Sequence, residues 1–135
     1  MKKIVVIDGQ GGKIGMQMIS ALREKNAQAN IIAIGTNSIA TANMLKSNPD
    51  GAATGENPVV VACRDADFIV GPVGIVIADS LFGEVTPKMA EAIGQSGAVR
   101  VLIPVNKCDS VVVGVRDTAL GELIKEATEQ IVNGI

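Results

Sequence analysis

The chain has 135 residues, which at about 150 residues per domain makes one compact domain spanning 1–135 and leaves no room for a separate substrate domain. Twelve Lys and Arg against fourteen Asp and Glu give a net charge of −2. These charges form neither a basic stripe nor an acidic tail, so nothing attracts a polyanion and no nucleic acid partner is expected. The absence of His, Trp and Tyr excludes an imidazole base, a His-ligated metal and any aromatic platform beyond Phe68 and Phe82.

Ile4-Val5-Val6-Ile7 is a continuous run of β-formers, the pattern of a strand covered on both faces of a parallel sheet. It stops at Asp8-Gly9-Gln10-Gly11-Gly12. Ile14, Met18, Ala21 and Leu22 then fall on one helical stripe that finishes near Lys25-Asn26. Ile31-Ile32-Ala33-Ile34 predicts a second buried strand ending at Gly35-Thr36-Asn37-Ser38, followed by an alanine-rich helix over 39–46 that closes at Asn48-Pro49-Asp50-Gly51. Asn57-Pro58 reads as a helix cap with proline at the first helical position, predicting a short helix over 59–65, although Val59-Val60-Val61 suits a strand. Asp67-Phe68-Ile69-Val70 is a strand ending at Gly71-Pro72-Val73-Gly74, and Thr86-Pro87 opens a helix through Met89, Ala90 and Ile93 to Gly94. Runs at 101–105 and 111–115 predict two more strands. The link at 106–110 is too short for a parallel crossover, so the last strand is expected to be an antiparallel edge. Leu120, Leu123, Ile124, Ala127 and Ile131 form the stripe of a closing helix.

Alternating strands and helices of this kind predict an α/β, doubly wound, Rossmann-like and mostly parallel sheet, most simply in order 2-1-3-4-5. Four loops, at 9–13, 35–38, 71–74 and 106–110, would converge at the carboxyl ends of the strands, where such sheets bind ligands. Apolar residues make up 47% of the chain and charged ones 19%, against about 25–35% charged on a typical small-domain surface, which predicts a homo-oligomer. Met1-Lys2-Lys3 runs straight into a strand with no signal-peptide pattern, and the thiols Cys63 and Cys108 fit a reducing cytoplasm. The apolar run near 73–78 is far short of the roughly 20 residues of a membrane helix, so no membrane partner is expected.

Gly9, Gln10, Gly11, Gly12 and Lys13, after a buried strand and before a helix, offer side-chain-free backbone whose amides, with the positive helix end, suit a phosphate. The alternative is a tight turn that binds nothing. The spacing departs from G-x-G-x-x-G because Ile14 stands at the third glycine and Gly15 comes one later. No Asp or Glu lies between Glu24 and Asp50 to grip a ribose hydroxyl, and no Arg is there for a 2′-phosphate, so a nucleotide or NAD(P)-like dinucleotide is only half signalled. Thr36, Asn37, Ser38, Gly71, Pro72, Val73 and Asn106 would flank the ligand. Gly12-Lys13 is no Walker A motif, since Ile7 and Ile14 stand where that motif needs Gly and Ser or Thr. Asn106-Lys107-Cys108-Asp109 matches an N-K-x-D guanine-recognition box in its residues, or else forms a polar hairpin turn. Cys108 beside Lys107 and the carboxylate of Asp79 are candidates for catalysis on a bound phosphate ester, but no His is present to activate the thiol. Cys63 reads as a small buried hydrophobe. Asp8, Asp79 and Glu84 are the carboxylates nearest the crevice. Asp8 would serve either a metal or ligand hydroxyl, or the amides of its own glycine turn. The apolar stretch at 71–87 is a lid, a subunit contact around Ile75 and Phe82, or an ordinary buried helix.

Val-Ile-Asp-Gly-Gln-Gly-Gly at 6–12, Gly-Thr-Asn-Ser-Ile-Ala-Thr at 35–41, Ala-Thr-Gly-Glu-Asn at 53–57, Gly-Ile-Val-Ile-Ala-Asp-Ser-Leu at 74–81 and Ile-Pro-Val-Asn at 103–106 together resemble a family of small bacterial proteins defined as a domain of unknown function. The resemblance implies a stand-alone, intracellular, single-domain bacterial protein, and it carries over no catalytic residue. Two classes of function follow from the residues: a binder of a phosphate-bearing small molecule at the glycine turn, or an oligomeric structural or regulatory module without a ligand.

Overall fold

A computed structural model of the chain describes residues 1–105 and 109–135. The β-branched run of β1 (Lys2–Asp8) buries Ile4 and Val6 on one face and Val5 and Ile7 on the other. Each of these side chains is at most 1% exposed and contributes about 1.5–3 kcal/mol of transfer free energy. A strand buried on both faces has to be central, and its neighbours are β2 (Ala29–Gly35) and β4 (Phe68–Pro72), both parallel to it. β3 (Gly51–Thr54) extends the sheet beyond β2, and β5 (Val99–Ile103) extends it beyond β4. The order is β3-β2-β1-β4-β5, with every pairing parallel.

Helices α1 (Lys13–Glu24), α2 (Ser38–Leu45) and α5 (Leu120–Asn133) supply Met18, Ile19, Leu22, Met44, Ile124 and Ile131 to the core on one face. Helices α3 (Glu56–Cys63) and α4 (Pro87–Gln95) cover the other with Val59, Cys63, Met89 and Ile93. Thr86, where the sequence opens a helix, accepts the Met89 N–H at 3.1 Å, and Asn37 caps α2 by accepting the Ala40 N–H at 2.9 Å. The helix expected over 59–65 behind an Asn57 cap forms despite its valines but begins earlier: α3 starts at Glu56 with Gly55 as its N-cap, and Arg64 and Asp65 lie beyond its end. Pro58 sits in the first turn of α3, where its missing N–H has no intrahelical acceptor to lose.

Two expectations about the sheet are corrected. Residues 111–115 do not form an antiparallel edge strand: they are exposed, and the Val115 N–H turns back to the Val112 C=O at 3.4 Å. The fifth strand is instead β3, whose Gly-Ala-Ala-Thr carries almost no β-propensity and is held by pairing with β2. The order 2-1-3-4-5 thus becomes 3-2-1-4-5. The chain crosses from β3 back over β1 to β4, which leaves the switch point between β1 and β4, as in the predicted doubly wound arrangement.

The 71–87 stretch is not the buried helix expected as one alternative, although Ile75, Leu81 and Val85 belong to the core. A 3₁₀ turn (Val73–Val76) follows β4, and Ile75, Leu81 and Val85 pack into the α3/α4 face. The loop closes on itself through Asp79 N–H to Val85 C=O at 2.7 Å, and through the buried Ser80 hydroxyl donating to the Gly74 C=O. Phe82 is the exception at 99% exposed, on a tip where Asp79, Leu81 and Phe82 all have positive φ. Among the described residues, no helix is long and apolar enough to cross a membrane.

Candidate functional site

Asp8 and Gly35 are register partners at the carboxyl ends of β1 and β2, so the loops at 9–12 and 36–37 emerge side by side. The Asp8 carboxylate is 2% exposed and turns into the glycine turn, with Oδ1 accepting the Gly9 N–H and Oδ2 the Gly15 N–H, each at 2.8 Å. Burial pushes this carboxyl above the ordinary range, while the amides of Gly15, Gly9 and Ile14 pull it down and the charge of Glu84 pushes it up again. Of the two roles open to Asp8 from sequence, the geometry displays the one in which it binds its own turn.

The turn depends on two glycines. Gly12 is the left-handed N-cap of α1 at φ 71°, and a Cβ there would stand 2.5 Å from the Ala40 carbonyl oxygen. At Gly9 a Cβ would stand 2.6 Å from Thr36 Oγ1 and 3.0 Å from Glu84 Oε1, so three loops meet only because that position is bare. The left-handed Gly12 delays the start of the helix. This accounts for the shifted spacing: Gly15 is the residue whose Cβ would run into Met44 and Asp8.

Glu84 reaches over from the 77–86 loop, and its Oε1 accepts the Gln10 N–H at 2.8 Å, the Thr36 hydroxyl at 2.7 Å and Asn37 Nδ2 at 2.7 Å. Partial burial pushes this carboxyl up, but the three donors outweigh it and hold Glu84 below the ordinary glutamate range. Asn37 Nδ2 also donates to the Gln10 C=O at 3.0 Å, and Asn43 Nδ2 of α2 donates to the Gly11 C=O at 2.7 Å. Sequence reasoning missed Asn43, because nothing in an alanine-rich helix marks one polar side chain as a brace for a distant turn.

The two carboxylates thereby occupy the amides of Gly9, Gln10, Ile14 and Gly15. Among the described residues no acceptor stands against the amides of Gly11 and Lys13. Gly11 and Lys13 line a cavity of about 320 Å³ together with Asp8, Gly9, Gln10, Ile14, Val105 and Leu120. A more voluminous groove of about 690 Å³ opens between α3 and α4, walled by helix flanks including Cys63, Arg64, Lys88 and Glu91. It extends to Ser96 and Gly97 before β5 and shares no lining residue with the glycine turn.

Of the residues expected to flank a ligand, Thr36 and Asn37 join Gln10 around Glu84. Ser38 is exposed as the first residue of α2 and makes no hydrogen bond to the turn among the described residues. Gly71 and Pro72 are buried strand residues of β4 rather than loop, and Val73 begins the 3₁₀ turn. Asn106, Lys107 and Cys108 lie outside the described residues, and with them most of the guanine box and the proposed thiol; Asp109 is exposed. Asp79 is exposed too, whereas Cys63 is buried and burial pushes its thiol up to about 11, which suits an unreactive packing role.

No curated protein matches the chain. A search of solved structures finds the crystal structure of a dodecameric FMN-dependent UbiX-like decarboxylase from Escherichia coli O157:H7 at 14% identity and a TM-score of 0.47, covering 99% of this chain and 93% of that one. A family model described as domain of unknown function DUF3842 matches residues 3–135, so the chain belongs to that family.

Proposed function

We propose that this chain binds a nucleotide or another phosphate-bearing small molecule over the carboxyl ends of β1, β2 and β4, with its phosphate on the Gly11 and Lys13 amides. The observation that carries this reading is the start of α1. Lys13 is the first residue of the helix, and the first turn contains no acidic side chain. A cation beside the positive helix end opposes the dipole and does nothing for the unliganded fold; with an anion present, the helix end, two amides and the ammonium act together. The position at the switch point of a doubly wound sheet supports the same reading. With Asp8 and Glu84 holding four neighbouring amides and the Gly12 amide donating to the Gly9 C=O, two remain among the described residues, and affinity is expected on the order of 10 μM.

The test is titration calorimetry with ADP and with inorganic pyrophosphate. Gly11 has no atom within 4 Å of where its Cβ would be and no positive φ, so Gly11→Val keeps the fold while blocking close approach of a phosphate. Binding to the parent and its loss in Gly11→Val is the expected result; equal binding by both rejects the site.

A second reading rests on Phe82, which is 99% exposed at a loop tip. In it the chain forms a homo-oligomer through that tip, and Phe82→Glu lowers the mass measured by light scattering. An unchanged mass removes that interface.

A further inference from the structure

We propose that Glu84 is the residue that reads the ribose, so that the ligand is a ribonucleotide with free 2′ and 3′ hydroxyls; this rests on the phosphate-binding reading above. A dinucleotide-binding turn is ordinarily completed by an acid shortly after the second strand, which accepts hydrogen bonds from the sugar. Here residues 25–49 contain neither Asp nor Glu. The carboxylate of Glu84, from a loop that follows β4, lies instead against Thr36 and Asn37 at the end of β2 and against the Gln10 amide of the glycine turn. A missing local acid is thus replaced by one from a remote part of the chain, at the place where the sugar of a nucleotide held by that turn would lie.

The arrangement of the carboxylate suits this task. All three donors fall on Oε1, and among the described residues none is directed at Oε2. Glu84 is half-buried rather than sealed, and its three donors keep it ionised, so one oxygen is anchored and the other is open to accept from hydroxyls. The same charge disfavours a phosphate on the 2′ oxygen.

The experiment is titration calorimetry of the full chain with inorganic pyrophosphate, ADP and 2′-deoxy-ADP, repeated on Glu84→Gln. Glutamine can keep an oxygen towards the three donors and replaces only the open oxygen by an amide nitrogen. The parent is expected to bind ADP at least about tenfold tighter than 2′-deoxy-ADP, as for loss of one hydrogen bond to a charged group. Glu84→Gln is expected to lose most of that preference, read as the ratio of the two affinities so that the lost charge, which acts on both nucleotides alike, cancels. Equal affinity of the parent for ADP and 2′-deoxy-ADP overturns the inference and leaves the phosphate reading standing. A Glu84→Gln variant that keeps the parent's preference also overturns it, because another group then reads the hydroxyl. Failure of all three probes to bind the parent removes both readings. Equal affinity in the parent overturns the inference even if Glu84→Gln does not fold, and Glu84→Asp, which shortens the reach of the open oxygen, then serves as the second variant and is expected to lose the preference.

Discussion

Gly11 and Gly12 are chemically identical neighbours, and the structure assigns them opposite responses to a single added methyl group. At Gly12 an alanine has to hold φ near 71°, which costs about 1–2 kcal/mol for an L-residue. Its Cβ would also lie 2.5 Å from the Ala40 carbonyl oxygen and 2.7 Å from Ala40 Cα. Both are backbone atoms, so relief requires α1 and α2 to separate, adding about 1–3 kcal/mol of overpacking. Gly12→Ala should therefore destabilise by about 2–5 kcal/mol, or roughly 10 °C in Tm for a chain of this size. Gly11→Ala meets no atom within 4 Å at an ordinary φ and should fall between neutral and about 1 kcal/mol stabilising, through the lower entropy of the unfolded chain. Urea denaturation followed by far-ultraviolet circular dichroism suits a chain without Trp or Tyr. A Gly12→Ala variant within about 0.5 kcal/mol of the parent, or a Gly11→Ala variant as damaged as its neighbour, would refute the turn geometry.

Burial raises the folded-state value of Asp8 above that of the unfolded chain. Its contribution to stability is therefore full below about pH 4 and is lost as pH rises through the raised folded value, and Asp8→Asn should remove that part of the pH dependence of the urea midpoint. If the midpoint of Asp8→Asn falls just as the parent's does across that range, the buried carboxylate is not its source. Ile75 is 0% exposed, so Ile75→Asp should unfold the chain or cost more than about 4 kcal/mol, by burying an unpaired charge. Phe82→Glu, at the exposed tip, should leave the stability of a single chain within about 0.5 kcal/mol. Melting curves of the two variants decide whether the 74–85 segment divides into core and surface as described; similar losses in both would show that it does not.

Much of this fold is legible in sequence because hydrophobic patterning writes it. The runs at 4–7, 31–34 and 68–70 form β1, β2 and β4, and Thr86-Pro87 opens α4 where expected. The failures fall where tertiary context overrides local preference. β3 is a Gly-Ala-Ala-Thr strand held by its pairing with β2, and the valines at 111–115 are exposed and pair with no strand among the described residues. At the site, the glycine turn and the anchoring of Asp8 were readable, since both follow directly from a buried strand ending in Asp-Gly. The convergence of Thr36 and Asn37 on Glu84 was not, because Glu84 is 47 residues from Asn37 and 48 from Thr36 and no local pattern spans that distance.

The central claim is that a phosphate sits on the Gly11 and Lys13 amides, and a nitrogen–proton correlation spectrum recorded while ADP is titrated in reads those amides one at a time. Gly11 and Lys13 are expected to move most. Gly9 and Gly15, already donating to Asp8, should move less, and the groove residues Arg64, Lys88 and Gln95 should stay still. Shifts centred on that groove, or none at millimolar ADP, would contradict it.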